Sequence, residues 1–68
     1  MRQVLVNTPA GLVLRLIRSN GEEAWRYNHD GTVDHCHDHK GPWVTVNWCD
    51  VPVEVRTQLN DARRAGNG

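Results

Sequence analysis

Two dipeptides, Asn20-Gly21 and Asp30-Gly31, restrict what this chain can fold into more than any other feature of it. Each joins a residue that tolerates positive φ to one that adopts it freely, and each is flanked by residues that alternate between apolar and polar. That is the pattern of a tight β-hairpin, whose two central turn residues both need positive φ. The two reversals predict three antiparallel strands in succession: Leu12 to Arg18, Glu22 to Asn28, and about Thr32 to His37.

The flanks extend this meander. Val4-Leu5-Val6, within Gln3 to Asn7, is β-prone and is stopped by Asn7-Thr8-Pro9-Ala10-Gly11, where proline and glycine punctuate a turn. Lys40-Gly41-Pro42 marks another turn, followed by a strand in which Val44, Val46 and Trp48 alternate inward and Trp43, Thr45 and Asn47 outward. Pro52 then opens a helix capped by Asp50 or the backbone of Val51. Val51, Val55, Leu59 and Ala62 form its apolar stripe, with Glu54 early, Arg63 and Arg64 late, and Gly66 as a C-terminal stop.

A two-residue turn at each dipeptide predicts a register. In the first hairpin Leu16 would face Trp25, Leu14 would face Tyr27, and Arg15 would face Arg26. Leu14, Leu16, Trp25 and Tyr27 are then the core face, and two arginines stand side by side on the other. In the second hairpin Tyr27 would face Asp34, Arg26 would face His35 and Trp25 would face Cys36. His35 and His37 would join the arginines on the outer face, with Cys36 inward.

The expected fold is therefore α+β: a small antiparallel β-meander of four to five strands with one C-terminal α-helix packed on one face. An SH3-like curled small barrel is the alternative. With 68 residues, the chain is read as a single domain, 1–68, with an ordered core of about 3–65 and frayed residues 66–68. So short a chain has a small core and leaves little room for a large cleft.

Charged residues make up 24% of the chain, and eight basic residues balance eight acidic ones. Binding to nucleic acid would then have to come from a local patch. No apolar run approaches the roughly 18 residues needed to cross a bilayer, and the N-terminus lacks a signal-peptide core. The expectation is a cytoplasmic protein with no membrane partner, in which two cysteines are free thiols.

Chemically distinctive residues crowd into the stretch from Asp34 to Cys49. His35, Cys36, His37 and His39, with Cys49, are zinc's preferred donor types, and His35 and His37, two apart on a strand, point the same way. There is no Cys-x-x-Cys pair, and the register sends Cys36 and Cys49 to different sides. A zinc-binding module is thus the alternative reading, not the leading one. Nucleophilic use of Cys36 or Cys49 beside a histidine would also need an oxyanion hole and a pocket, so no enzyme is expected.

Val33-Asp34-His35-Cys36-His37, followed by Lys40-Gly41, resembles the Asp-His-x-His stretch of endonuclease VII-type HNH nucleases. The resemblance implies general-base and metal-ligand roles for histidines of that stretch. It is confined to residues 33–41, and the sequence departs from the family pattern on both sides. The flanking cysteine pairs are missing apart from a lone Cys49, and a β-rich run follows where the family has a helix. The stretch from Val51-Pro52-Val53-Glu54-Val55 to Leu59, Ala62 and Gly66 is similar to the ending of small KTSC-type domains, a common arrangement.

The remaining constellation is the outer face: Arg15, Arg26, His35, His37 and Trp43, with Lys40 on the adjoining turn. Arginine beside an exposed aromatic is the composition of partner-binding hot spots and of platforms for single-stranded nucleic acid. The expectation is a small non-enzymatic regulatory protein, such as an inhibitor of the kind encoded by phages or mobile elements. It would bind a larger protein of host origin through this face. A nucleic-acid-binding module is the further alternative. A homodimer through edge strands such as Val4 to Val6 remains open.

Overall fold

The structure is a computed structural model that describes residues 2–38 and 40–67. Short reversals place each strand beside the one before it, giving a five-stranded antiparallel sheet in sequence order. The strands are β1 (Arg2–Asn7), β2 (Gly11–Arg18), β3 (Gly21–Asn28), β4 (Val33–Cys36) and β5 (Val44–Val46). A 3-10 turn at Trp48–Asp50 leads to helix α1 (Val53–Asn67). The α+β meander with one C-terminal helix is thus the fold, with the last strand three residues long and Trp48 in the turn after it. The helix also continues through Gly66, a difference within the usual fraying of helix ends.

The register of β2 against β3 is slipped by two residues from the expected one. Arg18 pairs with Gly21, so Ser19 and Asn20 form the loop; Leu14 faces Trp25, Arg15 faces Ala24 and Val13 faces Arg26. Among the described residues, no non-glycine residue has positive φ, so Asn20 does not enter the type I′ turn its dipeptide suggests. An even slip leaves every side chain on its expected face. It also separates Arg15 from Arg26 and brings Arg15 within reach of Glu22, to which Nε and Nη2 donate at 2.8 and 3.0 Å.

Between β3 and β4 the slip is by one residue, and it reverses faces. The Asn28 N–H donates to Thr32 O at 2.8 Å and the Gly31 N–H to Asn28 O at 3.1 Å, which closes a three-residue loop with Gly31 at φ 92°. This is the three-residue hairpin connection that ends in a left-handed glycine. The Asp30 carboxylate locks it by accepting from the Thr32 N–H (3.0 Å) and hydroxyl (2.6 Å). Trp25 therefore pairs with His35, Arg26 with Asp34 and Ala24 with Cys36. The expected placement of His35 and His37 beside the arginines is overturned; Asp34 and Cys36 take those places.

One sheet face carries the main core. Leu14, Leu16, Trp25 and Val33 pack against Val51, Val55 and Leu59, with Leu12, Tyr27, Val46 and Trp48 around them. This is the face expected from the alternation of β2 and β3, covered by Val55 and Leu59 of the expected stripe and by Val51, which precedes α1. Gly11 is needed where β2 crosses β3, because a Cβ there would lie 2.2 Å from the Tyr27 carbonyl oxygen. Among the described residues, no helix is long and apolar enough to cross a membrane.

Candidate interaction face

Among the described residues, no second layer covers the other face of the sheet. Its pattern follows from the pairings: Val4 and Val6 on β1, Val13, Arg15 and Ile17 on β2, Glu22, Ala24 and Arg26 on β3, Asp34 and Cys36 on β4, and Thr45 on β5. Val13, Ala24 and Cys36 form a small buried cluster, and Trp43 packs against it. Trp43 is consequently half-buried, a lid on this second cluster.

Two devices seat that indole. Gly41, at φ 97°, lets the turn bring the chain back; a Cβ there would lie 3.2 Å from Trp43 Cδ1. Over the ring, the Arg26 guanidinium carbon stands 4.4 Å from the centroid, in cation–π range.

Arg26 is held from below as well. Its Nη2 donates to Asp34 Oδ2 at 2.7 Å and its Nε to Asn28 Oδ1 at 2.8 Å, while Asn28 Nδ2 donates to the same Asp34 oxygen at 3.0 Å. Thr45 Oγ1 donates to Asp34 Oδ1 at 2.8 Å. Asp34 is only 8% exposed. Burial alone would raise its pKa, but the hydrogen bonds from Arg26, Asn28 and Thr45 outweigh that and hold it below the ordinary carboxylate value. Arg15 is likewise matched by a bidentate pair with Glu22. The face is therefore apolar with internally neutralised charges, not a bare cationic patch.

The other expected site residues lie elsewhere. His35, on the helix side, stacks on Trp25 with ring centroids 4.0 Å apart, and His37 meets it edge-on at 5.8 Å. His35 Nε2 stands 3.3 Å from Glu23 Oε1, within ion-pair range but outside hydrogen-bond geometry. The same oxygen accepts from Trp25 Nε1 at 2.9 Å. Lys40 is exposed on the turn beside Trp43, its N–H donating to Asp38 Oδ1 at 2.8 Å.

Of the proposed zinc ligands, Cys36 is buried and its Sγ donates to the Asp38 carbonyl, Cys49 is exposed on the 3-10 turn, and His39 lies outside the described residues. Among the described residues, no three His, Cys, Asp or Glu side chains converge. Asp34 and Asn28, which organise the face, were not among the expected site residues. The signal that finds them is Asp30-Gly31-Thr32: an aspartate two residues before a threonine marks an Asx turn that lengthens the loop by one and sets Asp34 opposite Arg26.

A cleft of about 380 Å³ opens between Asn7, Leu12, Tyr27, His29 and Arg63. Arg63 closes one wall, its guanidinium 4.3 Å from the Tyr27 ring centroid and its Nη1 donating to the phenol oxygen at 2.8 Å. His29 Nε2 lies 3.1 Å from the Pro9 carbonyl, tying two loops together. The lining holds neither a carboxylate nor a thiol.

Compared with known proteins, the chain matches no family model, no curated protein and no solved structure.

Proposed function

We propose that this chain is a non-enzymatic interaction protein that binds a larger protein partner through the uncovered sheet face, with Trp43 as its apolar anchor. The supporting observation is the chemistry of that face: a Trp43, Val13, Ala24 and Cys36 cluster, bordered by Val6 at 42% exposure. Arg15 and Arg26 are each already paired to an acid. Protein interfaces have such a desolvated apolar centre with polar groups at the rim. Phosphate binding, by contrast, draws on cations free to release counterions, which makes the nucleic-acid reading the weaker one.

Arg26 acts here as a clamp for the indole, and Lys40 with the Arg15–Glu22 pair forms the polar rim. His35 and His37, on the far side of the sheet, are not part of this surface.

The test uses the tagged chain as bait in lysate, with Val6→Glu and Trp43→Ala as outer-face variants and Thr57→Asp, on the exposed side of α1, as a control. A partner retained by wild type and control but lost from both outer-face variants, with circular dichroism unchanged, supports the reading. A partner that survives both outer-face variants and is lost from the control refutes it.

A further inference from the structure

Strand β1 is an open edge, and the structure gives the orientation of its backbone. The Thr8 N–H donates to Gly11 O at 2.8 Å and the Gly11 N–H to Thr8 O at 3.1 Å, so this pair exchanges both bonds. The pairing then runs without a bulge from Asn7 opposite Leu12 to Arg2 opposite Ile17. Backbone polar groups alternate sides along a strand, so Val6, Val4 and Arg2 direct theirs to β2, while Asn7, Leu5 and Gln3 direct theirs outward.

The only charged residue of this strand is Arg2 at its start, and the stretch from Gln3 to Asn7 carries no guard on the edge. It has no proline, no lysine and no bulge, the usual devices against pairing, and its central residues are apolar on both faces. Leu5 is 45% exposed on the helix side and Val6 42% on the other. The opposite edge, β5, has only three residues.

We infer that β1 is a self-association edge, pairing antiparallel with β1 of a second copy of this chain across a two-fold axis at Leu5. The occupant follows from register. A two-fold axis perpendicular to a continuous sheet opposes residues of the same face, so the axis must fall on a residue. Centred on Leu5, it sets Leu5 against Leu5, Gln3 against Asn7 and Val4 against Val6. Gln3, Leu5 and Asn7 are the outward-pointing residues, so they make three consecutive pairs of two bonds each. Apolar meets apolar on both faces, and the Gln3 and Asn7 amides lie side by side.

Among the described residues, an axis on Val4 would instead pair only Gln3 with Leu5, twice, and would set Arg2 against Val6. The Leu5-centred register covers both exposed apolar side chains of β1 and fuses two sheets into one. It shares Val6 with the border of the Trp43 surface but does not depend on that surface, since its axis and its hydrogen bonds lie on Gln3, Leu5 and Asn7. An edge pairing of this length falls in the class of small interfaces, below about 1,200 Å² in total, so the dimer is weak and concentration-dependent.

Sedimentation velocity across a concentration series on the full chain tests this, alongside Leu5→Pro and Leu5→Lys. Proline at Leu5 removes an N–H that points away from β2, leaving the β1–β2 ladder intact, and lysine sets two cations against each other at the axis. The expected result is a wild-type dimer at high concentration, with both variants monomeric. A second readout does not depend on the variants folding: the amides of Gln3, Leu5 and Asn7 should gain hydrogen-exchange protection with concentration, whereas those of Val4 and Val6 are protected throughout. A wild type monomeric at every concentration overturns the proposal. So does a dimer that persists in both Leu5 variants but is lost in Trp43→Ala, which would place self-association on the outer face.

Discussion

Replacing Asp34 with asparagine keeps the side chain's size and removes the charge to which Arg26, Asn28 and Thr45 all donate, at 2.7, 3.0 and 2.8 Å. An amide has one accepting end, so one of the two carboxylate positions would present an N–H₂ to a donor. Arg26 would keep Asn28 Oδ1 and the Trp43 ring but lose its counter-ion. Breaking a fully buried ion pair costs about 3–5 kcal/mol, and a hydrogen bond to a charged group contributes about 1.5–3 kcal/mol. Asparagine is also less costly to bury than a carboxylate, and Arg26 keeps 22% side-chain exposure. The expected loss is therefore about 2–3 kcal/mol, which in a domain of this size lowers Tm by roughly 10–20 °C. Thermal melts followed by circular dichroism measure it, and tryptophan fluorescence reports the release of Trp43. The pH dependence has a definite sign. A carboxyl whose folded pKa is depressed contributes stability that is fully present above its unfolded value, ordinarily 3.8, and is lost as pH falls through the lower folded value. Wild type should therefore lose stability on acidification below about pH 4, more steeply than Asp34→Asn. If the variant melts within about 2 °C of wild type at pH 7, less than about 0.5 kcal/mol, or follows the same acid slope, Asp34 does not organise this face.

Other substitutions probe other parts of the fold. Gly11→Ala would push a Cβ to 2.2 Å from the Tyr27 carbonyl oxygen, against rigid Tyr27 and Asn28 backbone; expression should give unfolded or aggregated protein, and a melt near wild type would contradict the crossing geometry. Leu59→Ala empties a site with no solvent exposure and should cost about 2–5 kcal/mol in denaturant titration, enough to unfold much of the population. Arg15→Ala breaks a bidentate pair at the sheet surface, where water screens the charges, so its chemical-denaturation midpoint should stay close to wild type. Arg63→Met removes the cation over Tyr27 and its bond to the phenol; because that contact is exposed, a loss above about 1 kcal/mol would mean the cleft wall supports more of the fold than its geometry indicates.

Most of the architecture is legible in the residue pattern because period-two alternation is a strong constraint. Leu12, Leu14 and Leu16 share a face whichever pairing is chosen, so the first hairpin's main consequence, a core of Leu14, Leu16 and Trp25, survives a two-residue slip. The details of the pairing are less accessible, because Asn20-Gly21 fits two loops that differ only in which residues occupy the centre. The choice was made at a distance from the turn: the observed register gives Arg15 an acid in Glu22, where the alternative gave it another arginine. Local turn chemistry proposed the reversal, and cross-strand charge selected its register.

The second hairpin shows why the candidate site was harder to read than the fold. One extra loop residue reverses every side chain beyond it, so a one-residue misjudgement at Asp30-Gly31 exchanged the histidines for Asp34 and Cys36 on the arginine face. The deciding atoms are the Thr32 N–H and hydroxyl, both donating to Asp30 Oδ1. With them the loop takes three residues and a left-handed glycine; without them a two-residue turn would be equally compatible with the alternation on either side. The exchange alters the chemistry as well as the addresses. An arginine pair rimmed by histidines would be a cationic surface that attracts anions over a distance. The same arginines tied to Asp34 and Glu22 present little net charge, and what they leave exposed is the half-buried edge of Trp43 and the valines of β1. A face of that kind recognises by shape and desolvation, so salt should weaken its complexes only modestly, through the rim at Lys40.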